Sequence, residues 1–339
     1  MKLPKAQTAA LRKYTLNRVQ EAVNNYSVTL TEREVKRFST FFDTHLLSRI
    51  NNPRLATRYA NSVSFSIPLL VGECNIVDVL LIEGIKVVFP QTYSFIRDNF
   101  ELLTSNYSST GVHYSATDRA PALKKLNDFV NSQNDPDVIK ELIQNLFPQT
   151  KAVLGNIHYG DNSFREWYLE KRICSSHYFN RYFTYVVVEG DVSDKLFTKL
   201  YGQLLDSDFE NREVELMKLL QPIDSEKLLY KIQLNEETIT PKGAYMLASN
   251  LPLLEKYFAG PEVMLSFMTP FSQAIYCIGR LIEKQDNSVR LQLAKRILLR
   301  SKTLEFGMAI WRRLHPKIDL EESKWILTES EFRSLVRLL

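Results

Sequence analysis

Helix starts are the most constraining feature of this sequence, because few glycines separate them. Asn52-Pro53 and Asp135-Pro136 each place a capping residue ahead of a proline in the first helical position, where the missing N–H costs nothing. Thr31 and Glu34 have the spacing of a capping box, in which each side chain satisfies an orphan amide. Thr240-Pro241 and Gly260-Pro261 mark two further breaks. Only 11 glycines occur in 339 residues, against the tight hairpins and Gly-rich loops of all-β and dinucleotide-binding folds. A mainly α fold is expected.

Apolar periodicity fills in the segments. Val35, Phe38, Phe42, Leu46 and Ile50 recur at helical spacing after the capping box. The most apolar stretch, 76–89, carries Asp78, Glu83 and Lys86, which rules out a membrane-spanning helix, since that needs about 20 mostly apolar residues. Helix is expected to continue from Gln91 to Leu103. Residues 104–120 are Ser/Thr-rich without periodicity and read as a flexible loop. Helices are then expected over 121–132, from Asp135-Pro136 to Phe147, over 164–172 and from Asp191 to Leu205. Beyond residue 210 helical segments follow closely, at 212–220, 225–232, 241–258, 261–284, 286–301, 303–314 and 320–338. Short connections of this kind suggest a bundle or a short solenoid-like stack. The organisation expected is 1–103, a loop at 104–120, a second helical region at 121–210 and a C-terminal bundle at 211–339.

Cys74, Cys174 and Cys277 stand far apart with no C-x-x-C pair, so free thiols in a reducing compartment are expected. The N-terminus has no apolar signal core, and a cytoplasmic protein is expected. A net charge of +4 neither requires nor excludes a nucleic-acid partner.

Catalytic chemistry finds no support in the residues. A phosphate-binding loop needs a Gly-rich turn followed by lysine and Ser/Thr, yet no Gly-Lys dipeptide occurs anywhere. Gly155 and Gly160 have the right separation, but Asp161 follows and would set a carboxylate against phosphate. Val186-Val187-Val188-Glu189 reads as a short buried strand or helix end. The five histidines are scattered, with no H-x-x-x-H pair and no metal site expected; His158 and His177 flank an acidic and aromatic stretch. No nucleophile–base pair is visible, so no catalytic residue is assigned.

Arg54, Arg58 and Asn61 share one face of the helix opening at Pro53. Arg54 sits in the first turn, where the helix dipole disfavours a cation, so it answers to something outside its own helix. That can be a phosphate or a carboxylate; ion pairing with Asp43, Glu73 or Asp78 is the internal alternative. A basic stretch, with Arg290, Arg296, Arg300, Arg312 and Arg313 as its candidates, offers contacts to a partner or to nucleic-acid phosphates. It lacks the interleaved aromatics of a single-strand platform and also reads as a solvated helix face.

Two blocks carry a family resemblance. The first is Asn51-Asn52-Pro53-Arg54-Leu55-Ala56-Thr57-Arg58-Tyr59-Ala60-Asn61, with Gly72-Glu73-Cys74-Asn75-Ile76-Val77-Asp78 and Glu83-Gly84-Ile85-Lys86-Val87-Val88-Phe89-Pro90. The second is Leu146-Phe147-Pro148-Gln149, Arg172-Ile173-Cys174, Tyr178-Phe179-Asn180-Arg181-Tyr182-Phe183 and Gly190-Asp191-Val192-Ser193-Asp194. Together, over about residues 45–205, they resemble the helical region that follows the catalytic core of KAP-type P-loop NTPases. The Walker A and Walker B segments and the inserted transmembrane helices of that family are absent from these residues.

The resemblance implies a lid-like helical domain followed by a helical stack. It also implies either a split version of a larger ATPase or a stand-alone descendant without the core. Arg54 would then sense the terminal phosphate, supported by Arg58 and Asn61. ATP and magnesium would be bound only with a P-loop core in cis or in trans, and that core or another protein would be the partner. Some relatives are linked to phage exclusion, which implies a defence role. Nucleic-acid binding through 290–317 is the alternative function.

Overall fold

A computed structural model describes residues 7–105, 116–154, 159–189, 191–205, 224–258, 269–316 and 325–338. Among them every regular element is a helix. The chain divides into two compact units, Met1–Val187 and Val188–Leu339.

The first unit contains α1 (Thr8–Asn24), α2 (Glu32–Phe41), α3 (Pro53–Leu70), α4 (Ile76–Val88), α5 (Pro90–Asp98), α6 (Phe100–Thr104), α7 (Ala116–Asn131), α8 (Pro136–Leu146), α9 (Thr150–Leu154), α10 (Asp161–Leu169) and α11 (Arg181–Thr184). The expected loop at 104–120 falls mostly on 106–115, outside the described residues; its ends belong to α6 and α7. Gly155 and His158 also lie outside them.

The capping box forms: the Thr31 hydroxyl accepts from the Glu34 N–H and Glu34 accepts from the Thr31 N–H. From Phe38 the apolar residues repeat every four positions, which on a 3.6-residue helix drifts by about 40° each time. The chain answers with a π-turn at Phe42–Leu46. Its wider winding brings Phe38, Phe42, Leu46 and Ile50 back to the core, while Val35 stays exposed.

α4 lies in the core of the first unit. Residues Ile76 to Ile85 are all buried, as a helix apolar on every side requires. α4 packs against α3 and α5, and α3 also packs against α1. Gly84 marks a close approach, since a Cβ there would lie 2.5 Å from Leu46 Cδ1 and 3.4 Å from Tyr59 Cε2. Leu46 and Tyr59 are fully buried and have nowhere to swing. Overpacking of this kind costs about 1–3 kcal/mol, offset by about 1 kcal/mol that alanine gains as a helix former. Gly84→Ala is therefore expected to lower the melting temperature by a few degrees, at about 2–4 °C per kcal/mol. A raised melting temperature would show that Leu46 yields.

The second unit contains α12 (Asp194–Leu205), α13 (Ser225–Leu234), α14 (Pro241–Asn250), α15 (Glu255–Phe258), α16 (Pro270–Glu283), α17 (Asn287–Arg300), α18 (Leu304–Leu314) and α19 (Glu329–Leu338). α16 packs against α13, α14 and α18, and α17 packs against α14 and α19, the successive contacts of a helical stack. The helix expected over 241–258 is interrupted by a 3-10 turn at Leu251–Leu254. Pro252 causes this, because it has no N–H and its ring clashes with the preceding turn. The expected helix at 212–220 lies outside the described residues.

The division after Val187 differs from the boundary expected at 210. α12 belongs to the second unit because Lys231, almost fully buried on α13, needs acceptors near its start. The ammonium donates to the Val192 carbonyl at 3.0 Å and pairs with Asp194 at 3.0 Å. Val186 and Val188, expected in a buried strand or helix end, are exposed, and 186–189 forms neither element.

Candidate functional site

The three residues singled out on α3 are brought together on one exposed face. The Asn52 side chain accepts from the Leu55 N–H at 2.9 Å, which sets the helix start ahead of Pro53. Ala56, Tyr59, Ala60, Val63, Ile67 and Leu70 then take the inner face. Helical geometry leaves Arg54, Arg58 and Asn61 outside, one turn apart, and all three are exposed. The same stripe continues through Phe65, 62% exposed, and Leu69, 43% exposed. It is cationic at one end and apolar at the other. Phe65 meets the edge of Tyr185 at 5.8 Å.

Their internal alternative is overturned. Asp43 is held by Arg12 through two contacts, at 2.6 and 2.7 Å. Glu73 pairs with Arg181 at 2.9 Å, both buried. Asp78 accepts from Arg172 at 2.7 Å and also pairs with Arg37. Each acid is occupied by a different arginine, and neither Arg54 nor Arg58 has an ion pair among the described residues.

Sequence reasoning missed what the two resembling blocks do to each other. Their polar residues interlock. The Asn75 N–H donates to Tyr182 Oη at 2.9 Å, and Tyr182 donates to the Lys171 carbonyl at 2.7 Å. The Ile173 N–H donates to Asp78 at 3.0 Å. Lys171, at a positive φ of 56°, donates to the Gly72 carbonyl at 2.6 Å. Glu83, fully buried, accepts from Tyr185 at 2.6 Å and from Ser62, and pairs with Lys86 at 3.2 Å. Burial alone would push the Asp78 pKa up; the cations of Arg172 and Arg37 outweigh it and hold the carboxyl below its ordinary range. A signal was present: charges inside the most apolar stretch have to be paired when buried.

The basic stretch of the second unit does not gather into one face. Arg290 donates to the Gln285 and Glu283 carbonyls at 2.8 Å, where α16 ends. Arg300 donates to the Ser249 carbonyl at 3.0 Å, at the end of α14. Both cap orphan carbonyls at helix C-termini, where the dipole favours cations. Arg313 lies 5.4 Å from the Tyr276 ring centroid and 3.7 Å from Glu283. Arg296 is half-buried, with its Nε lacking a partner among the described residues, and Arg312 is exposed.

The three cysteines are shielded from solvent. All three thiols are buried, and burial pushes Cys174 and Cys277 up to about 12. At pH 8 the thiolate fraction of those two is then about one in ten thousand. The native chain is expected to resist a thiol-specific reagent such as dithiobisnitrobenzoate and to release three equivalents in denaturant. Rapid native labelling would disprove the burial. His45 is buried, and burial lowers its pKa against the opposing pull of Glu141. Among the described residues no three His, Cys, Asp or Glu side chains converge as a metal cluster would, and no helix is long and apolar enough to cross a membrane. No family model, curated protein or solved structure matches the chain.

Proposed function

We propose that the chain is a non-catalytic regulatory and interaction module of a KAP-type P-loop ATPase, acting in the cytoplasm on a core in cis or in trans. The observation that carries this reading is the exposed Arg54–Arg58–Asn61 face, whose arginines have no ion-pair partner within the described fold. A cation in the first turn of a helix works against the dipole by about 0.3–1 kcal/mol. Its retention there without an internal acid supports a ligand outside the chain. The Phe65–Leu69 end of the same stripe offers an apolar contact beside the charged one. Nucleic-acid binding through 290–317 has less support, because Arg290, Arg300 and Arg313 are engaged in internal contacts. A role in phage defence comes with the resemblance alone.

ATP and magnesium are required by this reading only when a P-loop core is present. The test joins the chain, or adds it, to a KAP-type core that has lost its own helical region, and follows ATP turnover with and without Arg54→Ala. Restored turnover that depends on Arg54 supports the reading, and restoration indifferent to Arg54 removes the assignment. Tight MgATP capture with turnover by the chain alone would overturn it.

A further inference from the structure

A cleft of about 270 Å³ opens in the first unit where α5 and α8 begin, lined among others by Arg49, Phe89, Gln91, Thr92, Asn134 and Asp135. It uses none of the α3 residues. The donors at the start of α5 lack acceptors among the described residues. α5 starts at Pro90 behind Phe89, which offers no side-chain cap. The Gln91 and Thr92 amides consequently find no acceptor among the described residues. Thr92 is 1% exposed, and its hydroxyl is buried without a hydrogen-bond partner among the described residues. A hydroxyl in that state destabilises the fold unless something satisfies it.

The one strong acceptor in the cleft is misdirected. Asp135 is the N-cap of α8, a position where aspartate ordinarily accepts from its own first turn, yet it makes no such bond. Its carboxylate is paired instead with Arg49, whose guanidinium also lies 5.7 Å from the Phe89 ring centroid. The Asp137 and Val138 amides of α8 are left without acceptors among the described residues in turn. One incoming anion on Arg49 satisfies both helices, because it releases Asp135 to cap α8 while taking the amides of α5.

We infer that this cleft binds a phosphate monoester. The phosphoryl group accepts from Arg49, from the Gln91 and Thr92 amides and from the Thr92 hydroxyl, the arrangement that helix N-termini offer to oxyanions. The ester's organic body rests on Val88, Phe89 and Ile139, which also line the cleft. Asp135 swings to the first turn of α8, so both charges of the original pair remain partnered.

The full chain is titrated calorimetrically with phenyl phosphate and with inorganic phosphate, against sodium chloride at matched ionic strength. One saturable site is expected, with the ester about tenfold tighter than the free anion because of its buried ring. Arg49→Gln is expected to weaken binding at least about tenfold and Thr92→Val about fivefold. Asp135→Asn removes the competing charge and keeps a capping side chain, so it is expected to tighten binding about threefold. A merely structural pair would predict no gain from Asp135→Asn. Absence of saturable binding, undiminished binding by Arg49→Gln, or weaker binding by Asp135→Asn overturns the site. Equal affinity for the two probes overturns the ester.

Discussion

Asp78→Ala is expected to destabilise the first unit by about 3–5 kcal/mol, the cost of removing one partner from a buried ion pair. Asp78 is fully buried and accepts from Arg172, Arg37 and the Ile173 N–H. Removing it leaves the Arg172 guanidinium, itself almost completely buried, with only the longer contact to the half-buried Glu170, at 3.7 Å, among the described residues. Asp78→Asn keeps a hydrogen-bond acceptor for Ile173 and loses the charge, so its cost should fall between alanine and wild type. The pH dependence has a definite sign. Because the folded pKa is held below the ordinary value of about 3.9, the contribution is present above that value and is lost as pH falls through the folded pKa. Wild type should lose stability below about pH 4, while Asp78→Ala should lose less. Trp167 is the first unit's tryptophan, with Trp311 and Trp325 in the second. Urea unfolding followed through Trp167, with the other two replaced by phenylalanine, reads the effect. A wild-type midpoint for Asp78→Ala would show that the cluster contributes no net stability.

The sequence made local decisions legible and long-range ones illegible. Asn52-Pro53, Thr31/Glu34 and Thr240-Pro241 start helices where expected, because a cap depends on atoms three residues away. Asp135-Pro136 also starts its helix, yet the aspartate does not cap, since Arg49 is a stronger partner supplied by the fold. Glu73 and Arg181 are separated by 108 positions, and no local rule joins them. The π-turn at Phe42–Leu46 was implicit in a strict four-residue spacing, but only the packed core chooses widened winding over drift. At the candidate site, the face shared by Arg54, Arg58 and Asn61 followed from helix geometry alone. That Asp43, Glu73 and Asp78 were already taken required the tertiary structure.

With a KAP-type core supplied, Arg54→Ala is expected to lower ATP turnover by about a hundredfold or more, the range seen when a charge-stabilising donor is removed from a phosphoryl-transfer site. Arg58→Ala should cost less, about tenfold, if it positions Arg54 or meets a core acid. The distinguishing readout is stability measured beside activity. Arg54 is exposed and has no internal ion pair, so its loss removes no described contact. Relief from the unfavourable dipole should leave the free chain unchanged, or more stable by about 0.3–1 kcal/mol. A residue that costs turnover while slightly straining its own helix is retained for a partner, whereas one retained for the fold loses both together. The effect should fall on kcat more than on KM if Arg54 meets charge that develops during transfer. A loss confined to KM would instead place Arg54 in ground-state binding, and undiminished turnover would end the sensor assignment.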